Sequence, residues 1–373
     1  MSGFRAKFTT IQSLLFNPAI VVLLAAVLLI GIVITSDSGD ALVLARLGTR
    51  FLHGDPAGTE GYDGQFVYYI ALNLDPQQVA PLLDVPAYRY QRILLPVLAR
   101  FLSLGQPAVI PWVLALLGIL SLVGGTWAVG ELMVGWGVSR WYALVYGLYA
   151  GFLLAVITDL PEPLAYGLVA CGFLALERKQ PLLGWVLLGL SVFAKEVALL
   201  FVLAAILAYA LQHRWRDALA LGLIGVLPFA LFQAWLWLVF GQPGVGSGGA
   251  MATPFEWIPF MGLLRIGLES PLYLAAMLVV FGPTVVLPAV WGIWKSASFL
   301  LAGERNMIVL GLFLNGLVIP FVPFSTFRET GGMLRFACGL VLALLLFAAC
   351  YRQRRALNYS VFWLVLIVFL LKS

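Results

Sequence analysis

The sequence predicts an all-α fold, a polytopic helical membrane protein, and three observations carry that prediction. Of its 373 residues, 62% are hydrophobic and only 10% are charged, whereas a soluble domain is roughly half apolar and about a quarter charged. The apolar residues run continuously, as from Val21 to Ile34, and do not alternate over the roughly ten-residue segments of a membrane barrel. A chain in lipid must also satisfy its own backbone hydrogen bonds, which a helix does within one segment.

In chain order, "MSGFRAKF" and the run behind it have the outline of a signal peptide. The run ends in "ITSDSGD" without a small-residue cleavage pattern, so a retained first helix is expected. Stretches fit to cross a bilayer fall near 18–36, 107–132, 141–158, 164–176, 216–240, 272–294, 306–323, 335–351 and 357–371. Residues 184–212 are too long for one ordinary span and carry Lys195 and Glu196 in the middle. One long helix would bury that pair; two short helices would bring it to a membrane surface.

Charge bias separates these readings. The hairpin gives about 11 spans with a cytoplasmic N-terminus. The cytoplasmic side then receives Arg5, Lys7, Arg140, Arg178, Lys179, Arg214, Arg216, Lys295, Arg305, Arg352, Arg354 and Arg355, against Glu131, Glu177, Asp217 and Glu304. A single helix would put the 213–216 and 352–355 clusters outside. The chain 1–373 therefore reads as one transmembrane domain whose outer face has five segments: a first loop at 37–106, "TDLPEP" at 158–163, the Lys195–Glu196 turn, a Gly-rich loop at 241–271, and "FSTFRETGGMLRF" at 324–336. Within the first loop, "ALVLARLGTRFL", "FVYYIALNL" and "RILLPVLARFL" read as interfacial amphipathic helices.

Chemistry concentrates on that face. Asp63 precedes a helical stretch, so it suits an N-cap; held near the surface, it also suits a general base. Asp37 and Asp40 are rival carboxylates, Asp40 looking like a plain cap. Arg89 and Arg92, three apart, share a helical face. They read either as snorkelling anchors or as a clamp on a phosphate, which guanidinium geometry suits. Arg328, Arg335 and Lys195 bring the outer cations under discussion to five. Anchors belong on the cytoplasmic side, so an anionic ligand is the better explanation. Glu162 and Glu196 suit partners for those cations or a hold on a sugar hydroxyl. "GVGSGGAMATP" lacks Walker spacing and reads as a mobile loop or lid. Cys171, Cys338 and Cys350 suggest neither disulfides nor zinc, His53 and His213 form no metal cluster, and no nucleic-acid partner is expected.

"YDGQFVYYIA" followed by "YRYQRILLPVLA", with the charged hairpin in "GLSVFAKEVALLFVLAAILAYAL", resembles the GT-C superfamily of polyprenyl-phosphate-sugar-dependent membrane glycosyltransferases. More narrowly, it is similar to bacterial relatives of GPI mannosyltransferase 2, the PIG-V-like group. The motifs cover about 62–71, 88–99 and 190–200, and "FRETGGMLRF" loosely resembles a late outer-loop arginine motif. The sequence departs in having Tyr62 where eukaryotic relatives have Trp, "RYQR" where they have aromatics, and no Asp-x-Asp after the first span.

The resemblance implies an inverting transferase in a bacterial inner (plasma) membrane, working at the outer face for the cell envelope. Asp63 would be the catalytic base and Lys195 a contact to the lipid phosphate; the reading of the residues adds some of Arg89, Arg92, Arg328 and Arg335 as further phosphate ligands. Tyr62, Gln65, Tyr68 and Tyr69 would line the sugar pocket. The implied partners are a polyprenyl-phosphate-sugar donor, a glycan, lipid or protein acceptor, and membrane lipids. No cofactor follows from the residues, and nothing points to a divalent metal. A secondary transporter or lipid flippase for an anionic lipid-linked substrate, a non-catalytic assembly subunit, and a phospho-group transferase are the alternatives.

Overall fold

The computed structural model describes residues 17–37 and 39–372; Arg5, Lys7 and the "MSGFRAKF" segment lie outside the described residues. Among these residues every regular element is helical and no strand occurs. Five helices are long and apolar enough to cross a membrane: Pro18–Ser36, Ile110–Gly135, Trp215–Phe240, Pro271–Leu301 and Thr330–Cys350. Pro181–Ala194, Glu196–Leu211 and Met307–Phe321 are shorter apolar helices, and Glu162–Glu177 completes the bundle. Length and composition thus describe a membrane-embedded helical protein. Local sequence explains the starts: the Asn17 side chain accepts from Ala19 N at 3.0 Å. Pro18, Pro163, Pro181 and Pro271 occupy first turns, where a missing N–H has no helical partner to lose.

The long 184–212 stretch breaks at Lys195, whose backbone is extended at φ −152°, ψ 123°. The two halves fold back on each other: Trp185 Nε1, near the start of the first, donates to Tyr209 Oη, near the end of the second, at 3.5 Å. Elsewhere the expected helices give way. The 141–158 stretch divides at Tyr149, extended at ψ 128°, into Ala143–Gly147 and Ala150–Val156. The last stretch becomes a short α-helix, Arg354–Ser360, followed by a 3₁₀ helix, Val361–Lys372.

The first loop also departs from expectation. Residues 41–52 do not make one amphipathic helix. Asp40 caps a 3₁₀ turn, Ala41–Ala45, through Leu42 N at 3.0 Å, and Arg46 then turns left-handed at φ 49°. Tertiary hydrogen bonds outweigh local pattern here: Tyr62 N donates to Arg46 O at 2.9 Å. Gly64–Leu72 is buried from Gly64 to Ala71 and is an internal helix, not one lying on a surface. Leu94–Leu102 is two-faced, with Leu95, Pro96 and Ala99 inward and Phe101 and Leu102 exposed.

Polar connections gather at two opposite ends. At one, Arg178 pairs with Glu131 at 3.1 Å, Arg352 Nε donates to Trp136 O at 3.1 Å, and Arg305 Nη1 donates to Leu211 O at 2.9 Å. At the other, Asp63, the 158–163 turn, the Lys195 hairpin, the 241–260 loop and the start of Thr330–Cys350 meet.

Candidate functional site

Asp63 stands at the centre of the second end. Its own backbone is helical, at φ −57° and ψ −27°, and its side chain caps nothing. The N-cap expectation is therefore corrected: the carboxylate turns to Arg89 Nη1 at 3.0 Å and Arg335 Nη1 at 2.9 Å. Gly64 makes this placement achievable. A Cβ there would fall 2.2 Å from Thr158 O, so only glycine lets the chain rest on the 158–163 turn.

From Asp63 the charges alternate through the site. Arg89 binds Asp84 with two bonds, Nε to Oδ1 at 2.6 Å and Nη2 to Oδ2 at 2.7 Å. Arg335 reaches Glu162 at 3.9 Å and Glu329 at 4.0 Å. Lys195 Nζ donates to Glu162 Oε1 at 2.6 Å. Beside this chain Arg92 grips Glu196 at 2.7 and 2.9 Å and donates to Tyr88 Oη at 2.6 Å. The Tyr88 ring is near both guanidiniums, 5.1 Å from that of Arg89 and 4.4 Å from that of Arg92. The Tyr62 ring lies 5.1 Å from the Arg335 guanidinium, and its hydroxyl donates to Glu329 at 3.4 Å.

Cations expected to await an anion are thus already matched. Arg89, Arg92, Lys195 and Arg335 each hold a carboxylate. An arriving anion must compete for them. Asp63 remains approachable, its side chain 27% exposed, whereas Glu162 is fully buried. Burial alone would raise the Asp63 carboxyl, but Arg89 and Arg335, helped by Arg92, outweigh it and hold it well below the usual carboxylate range. Asp84 is lowered too: Arg89 and the Ala250 and Val85 amides overcome the effect of burial. Burial raises the Tyr62 phenol despite Arg335 nearby, so it stays protonated and able to donate.

No family model, no curated protein and no solved structure matches the chain. The site is read from its own chemistry.

Eight of the residues singled out in the sequence come together: Tyr62, Asp63, Arg89, Arg92, Glu162, Lys195, Glu196 and Arg335. Four do not. Gln65 accepts from Gly48 N at 3.1 Å and donates to Glu60 O at 2.7 Å, so its amide is spent on holding the loop. Tyr68 and Tyr69 are buried in the apolar core, with no face left for a sugar. Arg328 is exposed over Phe324 and lines a separate shallow cleft of about 300 Å³ with Ile266, Glu269, Ser270 and Tyr273. Of the two readings of Glu162, partner of the cations or hold on a sugar hydroxyl, the structure shows the first: it pairs with Lys195 at 2.6 Å and no solvent reaches it.

The reading of residues missed Asp84, Tyr88 and Glu329. Asp84 lies five residues before Arg89, a spacing that marks no shared face, and no local signal would have found it. The Gly-rich loop meets the bundle at a few points: Ala250 N donates to Asp84 Oδ2 at 3.1 Å and Thr253 N to Ser325 Oγ at 3.0 Å. Among the described residues no group of His, Cys, Asp and Glu is placed to hold a metal ion.

Proposed function

We propose that the protein is a membrane glycosyltransferase that moves a sugar from a polyprenyl-phosphate donor to an acceptor hydroxyl, with inversion, at the outer face of the membrane. The observation that carries this reading is a reachable carboxylate, Asp63, held between two guanidiniums that a phosphate can claim. Arg335 is the more available of the two. Arg89 commits Nε and Nη2 to Asp84 and Nη1 to Asp63. Arg335 donates through Nη1 to Asp63 and Nε to Gly331 O, and its Nη2 reaches Glu329 only at 4.0 Å, which leaves Nη2 capacity for an incoming oxygen.

In this mechanism the donor phosphate draws Arg335 away from Asp63 and Glu329. The guanidinium then stabilises negative charge growing on the leaving phosphate. Asp63, losing part of its cationic clamp, regains basicity and takes the proton of the acceptor hydroxyl. The acceptor oxygen bonds to the anomeric carbon as the bond from that carbon to the phosphate oxygen breaks, and polyprenyl phosphate departs. Lys195 and Glu162 sit behind Arg335 and set its position. A basic residue excess on the opposite connections supports the outer-face orientation, and an inner (plasma) membrane location follows from the same reading.

The test is transfer from a panel of polyprenyl-phosphate sugars by the purified protein in lipid nanodiscs, beside folded Asp63→Asn. Turnover by wild type and its loss in the variant are expected; full turnover by the variant removes Asp63 as base. A transporter or flippase reading draws on the helix interrupted at Lys195 and its buried partner Glu162. Accumulation of labelled lipid-linked sugar in proteoliposomes, without chemical transfer, would favour it.

A further inference from the structure

The Gly-rich loop covers a second polar place that the ion-pair chemistry does not use. Residues 244–250 lie along the Pro86–Tyr90 helix and its end. Gly244 is required there: a Cβ would come within 2.7 Å of both Ala87 O and Gln91 Cβ. Beneath this strap Gln91 is 1% exposed, and neither atom of its amide has a hydrogen-bond partner. Gln233, on the Trp215–Phe240 helix, accepts from Gly244 N at 2.8 Å and Val245 N at 3.1 Å, while its buried Nε2 has no partner. Buried amides are normally paired, and each exception calls for a cause. Two such amides flank one glycine of a strap that also contains Gly246 and Gly248, both at positive φ (84° and 88°).

The strap is held lightly. Between 244 and 250 its anchors to the bundle are the Gln233 bonds and the Ala250–Asp84 bond. It also lies on the site: a Cβ at Gly249 would stand 3.0 Å from Arg89 Nη2. We propose that the strap is a displaceable cover, and that the Gln91 and Gln233 amides beneath it form a seat for a hydroxyl-rich ligand, the acceptor glycan. An amide offers one donor and one acceptor group, which matches adjacent sugar hydroxyls and gives no preference for an anion. The seat therefore differs in kind from the cationic place at Arg335. Lifting the strap also releases Asp84 from Ala250, which links an occupied seat to the Arg89 that holds Asp63. The identification of the ligand as acceptor rests on the transferase reading; the seat does not.

Hydrogen–deuterium exchange of the full chain in nanodiscs tests it, with methyl mannoside, methyl glucoside and methyl galactoside titrated in turn. At least one glycoside is expected to raise exchange saturably in 244–250. Gln91→Leu is expected to weaken that response about tenfold, the loss of one hydrogen bond's net worth, without lowering the melting temperature. An unchanged strap with all three glycosides overturns the proposal. So does a wild-type response in Gln91→Leu, or a fall in melting temperature shared by Gln91→Leu and Gln91→Met, which would make the amide structural. A glycoside response without sugar transfer from any donor keeps the seat and removes the transferase reading.

Discussion

The two ends of the bundle use the same ion-pair chemistry with very different access to water. At one end Arg178 and Glu131 meet at 3.1 Å with side chains 47% and 28% exposed. At the other, Lys195 and Glu162 meet at 2.6 Å with 8% and none. An exposed pair contributes roughly 0–1 kcal/mol. A buried pair adds little net stability over an apolar pair of similar size, yet removing one member strands a charge at a cost of about 3–5 kcal/mol. Stability alone therefore accounts for the first end and not for the second, where Asp63, Arg335, Glu162 and Lys195 fix one another's positions.

The largest expected effect is on turnover. Asp63→Asn should lower transfer by about 10²–10⁴-fold, the usual worth of a general base. Asp40→Asn should leave the rate near wild type, because asparagine caps as well as aspartate and Asp40 accepts from Leu42 N at a 3₁₀ turn. Initial rates on folded protein decide between them. A loss confined to the Asp40 variant would move the catalytic carboxylate to the start of the loop.

Next comes stability. Lys195→Met leaves a buried Glu162 without its closest cation and should cost about 3–5 kcal/mol. Lys195→Met with Glu162→Leu should recover most of that cost while remaining inactive. Thermal unfolding in detergent reads both. A double variant no more stable than the single one would show that the pair is not the source of the loss.

How much of this was legible beforehand depends on what kind of fact each residue expresses. The hairpin at Lys195 was legible because a surplus of arginine and lysine on alternate connections is a property of the whole chain. That Asp63, Arg89 and Arg335 share one face followed once the segments were assigned to one side; their direct contacts did not. The pairing was legible in part: Glu162 and Glu196 were among the partners read for those cations and do hold Lys195 and Arg92. Side assignment, however, counts charges without saying which carboxylate meets which cation, and it does not reveal Asp84 on Arg89. Nor does helical spacing say what a face meets. Gln65 sits two residues after Asp63 and is consumed by Gly48 and Glu60. Arg328 sits seven residues before Arg335 and faces a different cleft.

The pH dependence sharpens the contrast further. Asp63 and Asp84 are both lowered in the folded state, so their contribution to stability is fully present above the unfolded carboxylate value, about 3.9. It is lost as pH falls toward their folded values. Melting temperature should therefore hold from neutral pH down to about 5 and decline below about 4. Asp63→Asn should decline less steeply over the acid range, because it has one fewer carboxylate to protonate. Identical acid profiles would mean that Asp63 is not paired in solution as it is here.

The smallest effect tests the other end. Arg178→Ala removes the exposed partner of Glu131 and a guanidinium 5.4 Å from the Trp127 ring. Water screens both contacts, so the change should stay within about 1 kcal/mol and shrink in high salt. Turnover should not move, since nothing at this end touches Asp63. A loss as large as that of Lys195→Met would mean that Arg178 is shielded in the folded protein to the same degree. The contrast between a solvated anchoring end and a dry, mutually positioned one would then disappear, and with it the reason for locating chemistry at Asp63 rather than at any other cluster of paired charges.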